Sequence, residues 1–160
     1  DNLCKGSTYS ILDYEEAESI VQTLKSPTNL IIKAHGTIQK PTKLIFTSSQ
    51  YFKSQQENPV FYNILYSLFL TNTVVFLGYG LSDPDINLIL QYLHKSACEA
   101  SPHYLVKEKG TAPQLIKHWK ETYNVQIIEY GDSYADLEPA IEELANKVDA
   151  FRADRAGVGL

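Results

Sequence analysis

His35 is the residue whose type and setting best suit acid–base chemistry. It directly follows an apolar stretch, residues 30–34, that is typical of a buried strand, and it precedes Gly36. The carboxyl ends of strands form the edge of an α/β sheet at which ligands bind. An imidazole with an ordinary pKa of about 6.5 can serve as a general base at neutral pH. The alternative, a histidine that ends a strand without any chemical role, stays open because pattern alone carries little information about sites.

A second candidate site is the glycine turn, defined here as residues 78–80, in which Gly78 and Gly80 flank Tyr79. The turn follows an apolar run at residues 74–77, which is typical of a strand buried on both faces in a parallel sheet. Glycines at this position can adopt φ > 0 and let a ligand approach the backbone. The turn therefore predicts a ligand-binding corner between a strand and a helix.

The helix after the glycine turn begins with an acidic first turn. Ser82 or Asp83 is expected to be its N-cap, Pro84 suits its first position, and Asp85 adds a second carboxylate. A helix N-terminus attracts anions, but the two aspartates would oppose a phosphate that docked directly on this turn. Ribose hydroxyls, which can donate to carboxylates, are the better candidates for a ligand. The alternative is that both aspartates only cap the helix.

Several familiar catalytic motifs are absent from the sequence. There is no GxSxG, GxGxxG or GxxxxGK[ST] motif, so a hydrolase nucleophile elbow, a complete Rossmann fingerprint and a P-loop are not indicated. The two cysteines, Cys4 and Cys98, form no CxxC pair, and the histidines lack metal-ligand spacing. The sequence therefore predicts neither a zinc site nor a disulfide framework.

Strands and helices alternate along the chain, which predicts an open parallel α/β sheet. Apolar runs bounded by turn residues predict strands at 30–34, 43–47, 74–77, 103–106 and 125–130. Helical spacing of apolar residues predicts helices at 14–24, 59–70, 84–97, 112–123 and 133–148, the first of them capped by Asp13. Residues 1–12 have only a weak pattern, and Ser48 or Ser49 is expected to open a short helical turn.

The bulk composition excludes some classes of partner. With 14 basic and 19 acidic residues the net charge is −5 and no basic run is present, which argues against nucleic acid and anionic membranes. No apolar run is long enough to cross a bilayer and no signal-peptide pattern occurs, so the cytoplasm is the expected location. The absence of methionine indicates a piece of a longer protein. Residues 1–150 are expected to form the domain, and 151–160 a tail or linker.

Three blocks together resemble the SIR2-like family, and more narrowly its zinc-free branch, the NAD-hydrolysing domains of bacterial anti-phage systems. The first block is KAHG at residues 33–36, the second is a T-x-x-x-Y segment at 47–51, and the third is FLGYGLSDPD at 76–85. They occur in the order, and at about the separation, found in that branch. The resemblance covers residues 30–93 well and 103–145 more loosely.

The resemblance implies a Rossmann-like open parallel sheet with helices on both faces, NAD as the ligand and no zinc. It implies that His35 is the catalytic histidine near the nicotinamide ribose. The residues that match the sirtuin G-T-S loop are implied to contact the dinucleotide: Gly78, Tyr79, Gly80, Ser82 and Asp83. The strand ends at 106–107 and 131–132 are implied to face the adenosine half.

Two departures from the family pattern bear on activity. The N-terminal βα unit, with its G-A-G-x-S phosphate loop and a T-T-N-Y-D segment bearing a second catalytic residue, has no counterpart here, and Asp1-Asn2 resemble only the tail of that segment. Gly80 also replaces the more usual serine of G-Y-S-L-S. We therefore expect this 160-residue chain to be inactive by itself and its parent protein to be an NAD hydrolase.

Three functions are compatible with the resemblance. The leading one is an NAD glycohydrolase that releases nicotinamide in a bacterial defence protein, by hydrolysis or cyclisation. The second is a sirtuin-type protein deacylase. It is disfavoured because such enzymes insert a four-cysteine zinc module between the histidine block and the G-T-S block, and no cysteine lies between His35 and Gly78. The third is a non-catalytic nucleotide-binding or assembly module. A homo-oligomer formed through the parent protein is implied by the resemblance alone.

Overall fold

The chain forms two compact units, Asp1–Thr71 and Asn72–Leu160, each with its own parallel sheet. A computed structural model describes residues 9–80, 83–96 and 101–157. The predicted α/β fold with parallel strands, of the Rossmann-like type, is confirmed. Cys4, Cys98, Ser82 and the Asp1-Asn2 pair lie outside the described residues.

The first unit is a strand–helix–strand arrangement followed by two helices. Its elements are β1 (Tyr9–Asp13), α1 (Ala17–Leu24), β2 (Asn29–Lys33), a short 3-10 turn (Pro41–Lys43), α2 (Ser48–Glu57) and α3 (Pro59–Thr71). The two strands are parallel, with Tyr9 opposite Asn29 and Asp13 opposite Lys33. Their carboxyl ends therefore lie at the same edge of this sheet.

Aromatic side chains dominate the core of the first unit. Its buried residues are Tyr14, Ile20, Ile45, Tyr51, Phe61 and Tyr62. The rings of Tyr14 and Phe61 pack edge-to-face at 6.2 Å, and those of Tyr51 and Tyr62 do so at 5.3 Å, an arrangement that aromatic quadrupoles favour. The prediction that α3 is a core helix is confirmed for Phe61 and Phe69, which are buried.

The second unit continues the alternation of strands and helices. Its elements are β3 (Val75–Phe76), α4 (Pro84–Ser96), β4 (His103–Lys107), α5 (Pro113–Tyr123), β5 (Val125–Glu129), a 3-10 turn (Tyr134–Asp136) and α6 (Leu137–Gly157). The three strands are all parallel, in the order β3-β4-β5. The core consists of large apolar residues from the strands and from α4 and α5: Phe76, Ile89, Leu90, Leu105, Val106, Trp119 and Val125.

His103, which the sequence places at the start of a strand, is buried in the second unit. Its Nδ1 atom accepts a hydrogen bond from the main-chain N–H of Val74 at 3.2 Å, which links β4 to the start of β3. Burial lowers the pKa of His103 below its ordinary value, because desolvation disfavours the imidazolium form. The histidine therefore serves the sheet as a neutral acceptor.

One predicted strand is wrong, and one strand forms where none was predicted. Residues 43–47 are not a strand: Leu44 and Thr47 are extended, but the N–H groups of Phe46 and Thr47 donate to the Gln50 side chain at 2.9 and 3.1 Å, and Phe46 is exposed. Because the Gln50 side chain in the first turn of α2 accepts from both N–H groups, they are not available to a sheet. Conversely, β1 forms in a region of weak pattern, because pairing with β2 stabilises it.

Two helix boundaries and one burial prediction also differ. Helix α1 begins at Ala17 with Glu16 as N-cap, so Asp13 ends β1 and does not cap the helix. Helix α6 runs to Gly157, beyond the predicted end of the helical pattern near residue 148. Strand β3 is only two residues long, and Val75 is exposed, so the expectation of burial on both faces is wrong there. Among the helices of the described residues, none is both long enough and apolar enough to cross a membrane.

Candidate functional site

His35 lies two residues beyond the carboxyl end of β2, and it is exposed. We call residues 34–45 the histidine loop. The N–H of Gly36 donates to the Lys33 carbonyl at 3.2 Å, closing a turn around His35, and the His35 carbonyl accepts a hydrogen bond from the N–H of Ile45 at 3.2 Å. The backbone of His35 is thus fixed while its side chain faces solvent. The position just beyond the carboxyl end of β2 is the one that the sequence predicts, and the catalytic role of His35 stays a prediction.

Gly36 lets the two ends of the histidine loop approach closely. Its φ is +86°, a conformation that residues with a Cβ rarely adopt, and a Cβ built on it would lie 2.8 Å from the Lys43 carbonyl oxygen. A glycine is therefore required beside His35 for both conformational and steric reasons.

Three consecutive residues at the carboxyl end of β1, Asp13 to Glu15, contact the histidine loop. Lys40 Nζ lies 2.7 Å from the buried Asp13 carboxylate, Lys43 Nζ lies 2.7 Å from Glu15, and the Tyr14 hydroxyl donates to the Lys43 carbonyl at 2.9 Å. The hydrogen bond to Asp13 raises the pKa of Lys40, and the one to Glu15 raises the pKa of Lys43. Burial raises the pKa of the Tyr14 phenol, so the hydroxyl stays a donor.

Sequence reasoning missed these three residues as part of the site. Asp13 was expected to be a helix cap, and Tyr14 was expected to be the first residue of a helix. The available signal was the position of an aspartate directly after a short apolar stretch, residues 11–12. That signal becomes visible only when β1 is recognised as a strand parallel to β2.

The glycine turn leaves its backbone accessible. Gly78 has φ +63°, and a Cβ built on it would meet no atom of the described residues within 4 Å. Gly78 and Gly80 are both exposed. Because the turn belongs to the second unit and His35 to the first, a cleft shared by the two stays a prediction.

Tyr79 and Asp83 form the start of α4. The Tyr79 ring stacks on Phe76 at 5.6 Å, and its hydroxyl oxygen accepts a hydrogen bond from the N–H of Asp83 at 3.2 Å. The Asp83 carbonyl accepts the N–H of Asn87, so Asp83 is the N-cap position. Both residues therefore stabilise the start of α4. This structural role is compatible with a contact to a ligand but does not require one.

The second block of the predicted motif is structural. Thr47 caps α2 through a capping box with Gln50, and Tyr51 is buried in the aromatic core. A capping box satisfies two helix N–H groups at once and stabilises the helix start. Thr47 and Tyr51 therefore hold the first turn of α2, which follows the histidine loop in the chain.

The carboxyl ends of β4 and β5, which were expected to face an adenosine, are linked to one another. The N–H of Lys109 donates to the Gly131 carbonyl at 2.8 Å, and Lys109 Nζ lies 3.3 Å from Asp132. Lys107 Nζ lies 5.1 Å from the centre of the Trp119 ring, within cation–π range. Within the described ranges, no group of three or more histidine, cysteine, aspartate or glutamate side chains is arranged to hold a metal ion.

Comparison with known proteins identifies the family of this chain. Residues 5–128 match the SIR2-like domain family, which is well over half of the chain. The chain is also 29% identical over 100 residues to Defense-associated sirtuin 2 of Bacillus subtilis, an alignment that covers 59% of the chain and 10% of that relative. The chain thus spans about a tenth of the length of this curated relative. On the strength of the family match and its extent, the chain belongs to the SIR2-like domain family.

Proposed function

We propose that this SIR2-like domain hydrolyses NAD and releases nicotinamide within a defence protein. SIR2-like domains bind NAD, and the relative of this chain is named a defense-associated sirtuin. The observation that carries the proposal is the setting of His35: an exposed imidazole on a firmly held loop at the carboxyl edge of parallel strands. We also propose that residues 1–150 form the domain and that the protein is located in the cytoplasm.

In the proposed reaction His35 acts as a general base. The bond between the ribose C1′ and the nicotinamide nitrogen breaks, and nicotinamide leaves as a neutral molecule. Water forms the new bond to C1′, and its proton, or that of a ribose hydroxyl, passes to the imidazole. General-base assistance of this kind contributes about 10²- to 10⁴-fold to a rate. An exposed imidazole suits this role because the acceptor nitrogen must reach the substrate within hydrogen-bond distance.

The glycine turn is proposed to hold the dinucleotide. Gly78 has a positive φ and, among the described residues, no atom within 4 Å of a Cβ built on it, so a ligand can approach its backbone. Asp83, at the N-cap of α4, is only partly buried, and its carboxylate is proposed to accept a hydrogen bond from a ribose hydroxyl. Tyr79, Gly80 and Ser82 complete the proposed contact set, Ser82 lying outside the described residues.

The deciding experiment is an assay of the full-length protein that contains this chain. Purified protein is incubated with NAD alone and with NAD plus an acetylated peptide, and products are separated by liquid chromatography and mass spectrometry. We expect nicotinamide release with NAD alone, together with ADP-ribose or its cyclic form. Release that requires the peptide would instead identify a deacylase, and NAD binding by calorimetry without any release would identify a non-catalytic module.

The substitution Gly78→Ala is expected to raise the KM for NAD by about tenfold, which equals about 1.4 kcal/mol of binding free energy. The added methyl meets no atom of the described residues within 4 Å, so we expect it to interfere with the bound dinucleotide and not with the fold. Gly110→Ala is the matched control, because Gly110 has φ +96° and is equally open. Both variants carry the cost of positive φ, but only Gly78→Ala should weaken NAD binding. Equal KM values in the two variants would remove the glycine turn from the site.

A further inference from the structure

We infer that the segment Asp13–Glu15 positions His35 by holding the histidine loop against the end of β1. The inference rests on the proposed role of His35 in NAD cleavage, and it concerns residues that no resemblance assigns. Each residue of the segment makes a different contact with the loop, and together they restrain it at two points, Lys40 and Lys43.

The Tyr14 contact is the most direct link to His35. The Lys43 carbonyl that accepts the Tyr14 hydroxyl at 2.9 Å is the same group against which Gly36 packs. Two residues further on, the N–H of Ile45 donates to the His35 carbonyl. The Tyr14 ring itself is fixed in the aromatic core against Phe61. A rigid core residue thus reaches the backbone on which His35 rests.

The Asp13 carboxylate holds the other restraint. It is 6% exposed, its Oδ1 accepts the N–H of Glu15 at 3.0 Å, and its Oδ2 lies 2.7 Å from Lys40 Nζ. A buried carboxylate stabilises any arrangement that keeps a cation beside it, because an unpaired buried charge is strongly unfavourable. Glu15 adds a second pair with Lys43 at 2.7 Å. The loop is therefore anchored by charge as well as by the Tyr14 hydroxyl.

A positioned base explains why such anchoring matters. A general base must lie within hydrogen-bond reach of the proton that it takes, and a misplacement of about 1 Å can cost about 10²-fold in rate. NAD binding, by contrast, is proposed to depend on the glycine turn. Loosening the histidine loop should therefore lower kcat and leave KM for NAD nearly unchanged.

The test is Tyr14→Phe in the full-length protein, with Tyr9→Phe as the matched control at the exposed start of β1. Tyr14→Phe keeps the core ring and removes only the hydroxyl. We expect kcat to fall by about 10- to 100-fold with KM unchanged, and amide hydrogen exchange of peptides spanning residues 34–46 to become faster. Tyr9→Phe should change neither. In a His35→Ala background, Tyr14→Phe should cost no further turnover, because the two act through one group.

Hydrogen exchange measures whether the segment Asp13–Glu15 holds the histidine loop, and it can be measured even if the protein consumes no NAD. A failure of this inference can therefore be told apart from a failure of the proposed function. Lys40→Met, compared with Lys53→Met in the exposed Lys53–Glu57 pair, provides a second variant with the same readouts. Unchanged exchange in both Tyr14→Phe and Lys40→Met would overturn the inference. Faster hydrogen exchange with an unchanged kcat would overturn it as well, and so would a rise in KM for NAD without a fall in kcat.

Discussion

His35→Ala is expected to lower the rate of nicotinamide release from NAD by about 10²-fold or more, while the protein stays folded. The side chain is exposed, and substitutions of exposed residues usually change the free energy of unfolding by less than about 0.5 kcal/mol. The backbone hydrogen bond from Ile45 to the His35 carbonyl is unaffected by the change. The measurements are steady-state nicotinamide release and the thermal unfolding midpoint of the same preparation.

The matched control for His35→Ala is His118→Ala. His118 is an exposed histidine on α5 whose ring contacts Thr122 and Tyr123 on the same helix. Its removal should leave turnover at the wild-type level. Turnover that persists in His35→Ala would refute the role of this histidine, and turnover lost equally in both variants would point to a general loss of structure.

The substitution Gly36→Ala is expected to abolish the proposed NAD cleavage and to destabilise the first unit. A residue with a Cβ at φ +86° pays about 1–2 kcal/mol for the left-handed backbone. The Cβ would also lie 2.8 Å from the Lys43 carbonyl oxygen, which is a backbone atom and cannot rotate away. The histidine loop must then separate from Lys43, and His35 moves with it. Nicotinamide release and hydrogen exchange of peptides spanning 34–46 measure the two effects.

Gly110→Ala separates the steric cost from the conformational one. Gly110 has a similar φ of +96°, but within the part of the chain that the structure describes a Cβ there meets no atom within 4 Å. Gly110→Ala should therefore lose only the stability that the left-handed backbone conformation costs, and it should keep full turnover. If Gly36→Ala behaved like Gly110→Ala in both readouts, the close approach of Gly36 to Lys43 would have no role in positioning His35.

Local sequence patterns predicted most of the elements correctly. The helices at 59–70 and 112–123 and the strands at 103–106 and 125–130 all appear within a few residues of their expected bounds. The periodicity of their apolar residues is visible in the local sequence, and it predicts which face of each element is buried in the fold. The position of His35 after β2 follows from the same reasoning, because a histidine at the end of a strand run must lie at a sheet edge.

The prediction at residues 43–47 failed because two local signals competed. The run KLIFT has the composition of a strand, but Thr47 and Gln50 also match a helix capping box. The capping box forms in place of a strand because it satisfies the N–H group of Thr47 locally, and the helix that follows buries Tyr51.

By itself, the sequence determined the parallel α/β class, the SIR2-like motif blocks and the candidacy of His35 and of the glycine turn. Only the tertiary structure decided that residues 9–13 form a strand and that Asp13, Tyr14 and Glu15 contact a loop some 25 to 30 residues further along the chain. The physical reason is that periodicity and capping depend on neighbours within a few positions, whereas strand pairing, buried ion pairs and the close approach at Gly36 depend on groups brought together only by folding.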